Sequence, residues 1–170
     1  MNEAARNAGR AGPPGISVSF RPILGPTEDL AWERAHRILE ATKEKIQAFR
    51  ARWGARSWGL GGDNPQNVGS QRLLAAAAKG ELHDRALWTA PAAATGAGGN
   101  STALVGTPET VAQALLDYVD IGVTTILIRG YDPYDDAIDY GRYLLPLVRE
   151  EVARRDAEKA AAGAETAVSA

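Results

Sequence analysis

The stretch "VTTILIRGYDP", residues 123–133, decides the fold. Val123 to Ile128 is an apolar run interrupted only by Thr124 and Thr125, with Gly122 before it and Arg129, Gly130 and Tyr131 after it. A short run of this kind between two helical patterns reads as a buried strand of a parallel sheet, because the helices cover it. Upstream, Thr107 is placed to cap a helix with Pro108 at its first position and Glu109 in its first turn, and Val111, Ala114, Leu115 and Tyr118 share one face. Downstream a helix is expected from about Tyr134 to Arg149, with Ala137, Gly141, Leu144, Leu145 and Val148 inward and a kink at Pro146.

Working outward, "GISVSFRPIL" (15–24) alternates Ile16, Val18 and Phe20 with Ser17, Ser19 and Arg21, the period of a strand with one polar face. Gly25 and Pro26 end it, and Thr27 caps a long amphipathic helix that runs to about Phe49. "SQRLLAAAAKG" (70–80) predicts a short helix stopped by Gly80, and "TALVG" (102–106) a short strand. Strand, turn and helix recur, so the fold class is α/β with a parallel sheet. In such folds functional groups come from loops at the carboxyl ends of the strands, where Arg129, Gly130 and Tyr131 stand.

The remaining segments set the domain organisation. Residues 1–14 are polar and alanine-rich and close on Gly12, Pro13 and Pro14, which predicts a disordered leader. Residues 15–150 form the one domain, with 51–70, rich in Gly, Asn and Trp, as an insertion loop. Residues 151–170 are a helix-prone, solvated tail.

Bulk properties exclude several classes of function. The net charge is −2 with both signs interspersed, which gives no field to draw nucleic acid or an anionic membrane. There is no cysteine, so disulfides and thiolate metal sites are out, and His36 and His83 alone do not supply a zinc site. No run reaches the ~18 apolar residues of a membrane span. A cytoplasmic location is expected.

Three segments in order carry a specific resemblance: "TALVGTPETVA" (102–112), "GVTTILIRGY" (122–131) and "DAIDYGRYLLPLV" (136–148). With "RPILGPTEDLAWERAHRIL" (21–39) and "NVGSQRLLAAA" (67–77), they resemble the carboxyl-terminal part of the bacterial luciferase-like flavin monooxygenases, nearest to the alkanesulfonate monooxygenases. The resemblance covers about residues 15–150. It implies a partial (β/α)8 TIM barrel, the late strand and helix units of a fold that ordinarily takes about 250 residues. It also implies FMN in its reduced form (FMNH2), a flavin reductase to supply it, O2, and a small organic sulfonate-like substrate cleaved to aldehyde and sulfite. A relative on the same fold that uses coenzyme F420 is the cofactor alternative.

The resemblance names the site residues. Tyr131 matches the tyrosine that follows the last strand in the sulfonatases, where a phenol donates a hydrogen bond or moves a proton. On the first strand, Ser19 and Arg21 fall where those enzymes carry an arginine and a histidine facing inward; a guanidinium there suits an anion. Tyr131, Arg21 and Ser19 are therefore the candidate catalytic residues, and Arg129 is expected to pair with Asp132 or Asp135. The turn "ATGAGGNSTALVG" (94–106) offers Asn100 and Ser101 as candidate cofactor-binding residues through backbone N–H groups. The arginine that the sulfonatases carry just before this turn is absent. Asp135, Asp136 and Asp139 are read as helix-dipole acids and the four tryptophans as core or lid packing. A second class of function stands beside the enzyme: a non-catalytic chain or half-barrel that needs a partner chain, since half a barrel leaves strand edges unpaired. A homo-oligomer would serve the same need.

Overall fold

The computed structural model describes residues 2–54, 65–98 and 102–168. Five strands form one sheet: β1 (Ser17–Leu24), β2 (Leu82–His83), β3 (Leu87–Trp88), β4 (Ala103–Gly106) and β5 (Thr125–Ile128). Their spatial order is β2-β3-β4-β1-β5. β1 is the longest, and its two halves have different neighbours. Arg21 to Leu24 pair in parallel with Ala103 to Gly106, and Ser17 to Phe20 pair in parallel with Thr125 to Ile128. β2 and β3 extend the β4 side antiparallel.

The described strands form one mixed five-stranded α/β sheet, consistent with a partial luciferase-like fold. Barrel strands lie side by side in chain order, which would set β4 between β1 and β5. Here β1 stands between them, and helices pack on both faces of β1 and β4. On one face Phe20, Leu24 and Leu104 pack against Val111, Ala114 and Leu115 of α5 (Pro108–Asp120) and against Tyr140 and Leu144. On the other, Ile23, Ala103 and Val105 pack against Ala31, Ala35 and Leu39 of α2 (Glu28–Trp53), with Trp88 and Ala90 beside them. The alternation along β1 and β4 assigns each apolar residue to its layer.

The helix boundaries follow the capping chemistry. The Thr27 and Thr107 hydroxyls accept from the N–H groups of Leu30 and Thr110, with Pro108 in the first turn of α5. Asn67 caps α3 (Val68–Ala77), and Pro91 opens the short α4 (Ala90–Thr95). Two expectations change at the margins. Residues 2–7 form a helix, α1 (Asn2–Asn7), with Ala5 buried, where a disordered leader was predicted. Of the predicted 51–70 loop, residues 51–53 end α2 and 68–70 begin α3.

The last helical region is more articulated than its pattern predicts. α6 (Pro133–Asp139) passes through a wider π-helical turn at Tyr140–Leu144 into α7 (Leu145–Val168). The Leu145 N–H reaches back five residues to the Tyr140 carbonyl. Pro146, in the first turn of α7, has no N–H to continue the ordinary ladder, and the wide turn lies just ahead of it. Asp136, Tyr140 and Leu144 are buried, Leu144 as expected, while Ala137 and Gly141, expected inward, are exposed. α7 carries the tail, tied back where Arg155 pairs with Asp120 and Glu151.

β5 also differs from its reading. It spans four residues at the edge of the sheet, and only Ile126 and Ile128 face the core. Thr125 and Leu127 point to the uncovered face, Leu127 at 60% exposure. Of the tryptophans, Trp88 is buried and Trp32 half-buried, packed edge-on at 5.7 Å between ring centres, and Trp53 is 62% exposed. Trp58 lies outside the described residues.

Candidate functional site

β1 and β5 run in parallel, and β5 ends opposite Phe20, so the 129–131 turn leaves the sheet beside Arg21 in the middle of β1. The Arg129 N–H bonds the Phe20 carbonyl and extends the ladder by one step. The next two residues then leave the sheet. An Arg21 Nη1 group donates to the Gly130 carbonyl at 2.9 Å, and the guanidinium carbon lies 5.1 Å from the centre of the Tyr131 ring. That is a cation–π stack on a partly buried phenol.

The Tyr131 hydroxyl is buried and has no hydrogen-bond partner among the described residues. Burial pushes its pKa up, and the Arg21 charge only partly opposes this. A buried hydroxyl without a partner costs ~1–3 kcal/mol, so native proteins seldom keep one without a use. A cavity of about 270 Å3 opens beside the residue, lined by Arg34, Thr42 and Lys45 of α2 and by Tyr131 and Asp132.

Under Tyr131 lies a second layer. Asp136 is 1% exposed, and its two oxygens are both used: one takes the Arg34 guanidinium, the other accepts the Asp132 N–H at 2.9 Å. Arg34 also donates to the Leu24 carbonyl. Asp132 in turn caps α6, accepting from the N–H groups of Tyr134 and Asp135. Tyr140 donates to the Pro22 carbonyl at 2.6 Å, and burial with the nearby Asp136 charge pushes its pKa up. The result is a frame that fixes the 130–132 turn against both β1 and α2.

The candidate residues therefore fall into three groups. Arg21 and Tyr131 are brought into contact. Ser19 stands two residues before Arg21 on the same face of β1, opposite Leu127. Asn100 and Ser101 lie outside the described residues. Arg129 is exposed and forms no ion pair among the described residues, so the expected pairing with Asp132 or Asp135 is not made. Asp136 is not a solvated dipole acid but the buried centre of the frame. The sequence held a signal for this pair. Arg34 falls on the inward stripe of Ala31, Ala35 and Ile38, and Asp136 stands four residues before Tyr140 and eight before Leu144.

No cluster of potential metal ligands occurs among the described residues. Nor is any described helix long and apolar enough to cross a membrane.

The family model for luciferase-like monooxygenases matches residues 1–125. The chain belongs to the luciferase-like monooxygenase family. The matched span contains β1 with Ser19 and Arg21, and it ends at the first residue of β5, six residues before Tyr131. It also includes residues 1–14, which the sequence pattern had set apart as a leader. The family is one of flavin-dependent oxidoreductases as a class. Arg34 and Lys45 stand on the wall of the cavity beside Tyr131, together with Asp132, and the Arg34 charge is already matched by Asp136.

Proposed function

We propose that this chain is the carboxyl-terminal part of a reduced-flavin-dependent monooxygenase of the alkanesulfonate type. FMNH2 arrives from a separate flavin reductase and, when bound, supplies the electrons that activate O2. One oxygen atom goes to the substrate carbon as its C–S bond breaks, giving aldehyde and sulfite, and the other leaves as water. The observation that carries the reading is the Arg21–Tyr131 stack with its buried, unpartnered phenol.

In this reading Arg21 places a fixed positive charge at a sulfonate or other anionic group. Its bond to the Gly130 carbonyl keeps the guanidinium from swinging into water. Tyr131 holds a proton in a dry site; a phenol is protonated at neutral pH in any case, burial raises its pKa further, and it serves as a donor. Ser19 lines the approach along β1.

The test is an anaerobic titration of the chain with FMNH2, followed by tryptophan emission, since Trp32 shares a packing cluster with Tyr131. Saturable quenching that Arg21→Met weakens and Tyr131→Phe leaves intact is the expected result. Tyr131→Phe should instead lower sulfite release in the assembled enzyme. Preference for reduced F420 over FMNH2 would move the chain to the F420-dependent branch, and no saturation with either would end the reading.

A second reading is favoured by one observation, the uncovered side of β5 with Leu127 exposed. In it the chain is a non-catalytic or half-barrel subunit that packs on a partner chain or on a second copy. Sedimentation equilibrium separates the two: a monomer across the micromolar range removes the second reading.

A further inference from the structure

The strand order creates a second crevice that the flavin reading does not use. β1 and β4 are adjacent and parallel, yet α2 leaves β1 toward one face of the sheet and α5 leaves β4 toward the other. Where neighbouring strands send their helices to opposite faces, a cleft opens at their carboxyl ends, and open α/β sheets bind ligands there. In this chain a cavity of about 350 Å3 occupies that position, lined by Leu24, Gly25, Pro26, Pro108, Asp139 and Tyr143.

The chemistry of the lining selects the ligand. Such clefts commonly take phosphate on free helix N–H groups, but here several of those donors are missing or used, and the carboxylates of Glu28, Asp29 and Glu109 stand in the first turns of the two helices. Pro26 and Pro108 have no N–H. The Thr107 N–H is given to Glu28 Oε1 at 3.1 Å, and the Thr110 N–H to the Thr107 hydroxyl. Glu28, whose carboxylate also accepts from the Thr110 hydroxyl at 2.5 Å, already fills the anion position of α5. What remains is an apolar floor at Leu24, the Asp139 carboxylate and the phenol ring of Tyr143, which is 53% exposed. Asp139 forms no ion pair among the described residues. Gly25 is fixed beneath the cleft because a Cβ there would stand 2.4 Å from the Ala31 nitrogen, so no side chain fills the space.

We infer that this switch-point cleft binds a small organic ammonium ion with an apolar body, its charge on Asp139 and its body against Leu24 and the Tyr143 ring. A carboxylate and an aromatic face around an apolar floor are the partners such a cation requires. The site is separate from the Arg21–Tyr131 stack and does not depend on the flavin reading.

The experiment is a 1H–15N titration of the whole chain with benzylammonium, and with benzoate as the anion of matching size. Saturable shifts at Gly25 and Tyr143 with benzylammonium below about 10 mM, and none with benzoate, are expected. Asp139→Asn, which keeps the shape and removes the charge, should weaken binding about tenfold. Tyr143→Ala alters an exposed side chain, so the fold survives it, and it should weaken binding as well. Equal binding of benzoate, no saturation at these two resonances, or unchanged affinity in both variants would overturn the inference.

Discussion

Gly130 and Asp136 are so close that a methyl group at residue 130 would lie 2.2 Å from the Asp136 carboxylate oxygen and from its Cβ. The glycine after β5 is therefore a packing requirement of a buried acid six residues later. Gly130→Ala should push Asp136 off Arg34 and displace the carbonyl that Arg21 holds. Overpacking of this kind costs about 1–3 kcal/mol. Urea unfolding measures it, and a loss under 0.5 kcal/mol would mean that the turn has room to move.

Breaking the Arg34–Asp136 pair from one side should be costly. Asp136→Ala leaves the Arg34 charge without its counter-ion and the Asp132 N–H without its acceptor, and removing one partner of a buried pair costs about 3–5 kcal/mol; Arg34 is partly exposed and keeps its bond to the Leu24 carbonyl, so the lower end applies here. The double variant Arg34→Met/Asp136→Leu should recover part of that loss, because neither charge is then stranded. A double variant as unstable as the sum of the single ones would show that the two residues do not act as a pair.

Stability should fall at alkaline pH through Tyr131 and Tyr140. Both have pKa values raised chiefly by burial, so the folded state holds phenol protons that the unfolded chain releases near pH 10. Their contribution is constant below that point and declines as pH rises through the folded values. Unfolding measured between pH 8 and pH 11 should show the decline, and Tyr131→Phe/Tyr140→Phe should flatten it. An unchanged slope in the double variant would assign the effect to other groups.

The entry to α5 should respond to its cap. Thr107→Ala removes the hydroxyl that accepts the Thr110 N–H, a change worth about 1 kcal/mol at a helix start. Glu28→Gln should cost less, since the amide oxygen still accepts from the Thr107 N–H. Paired chemical denaturation of both variants checks the order, and the reverse order would show that the Glu28 charge outweighs the hydroxyl cap.

By itself the sequence determined the local elements. Threonine caps, proline at the start of a helix, period-2 alternation in β1 and the apolar stripe of α5 are set by residues within a few positions of one another, and the structure forms them where the pattern placed them. It also carried the family, because the residues of β1, α2 and β4 lie inside the matched span. What the tertiary structure decided was which strand lies beside which. Runs such as "TALVG" and "TTILI" are equally apolar and present the same backbone hydrogen bonds, so neither composition nor period says that β1 would sit between β4 and β5. That order fixed the rest. It turned β5 into an edge, opened the cleft between α2 and α5, and set Arg34 of one helix on Asp136 of another, 102 residues away along the chain. A carboxylate at a helix start looks the same in the sequence whether water or a guanidinium faces it; only the packing of distant elements supplies the partner.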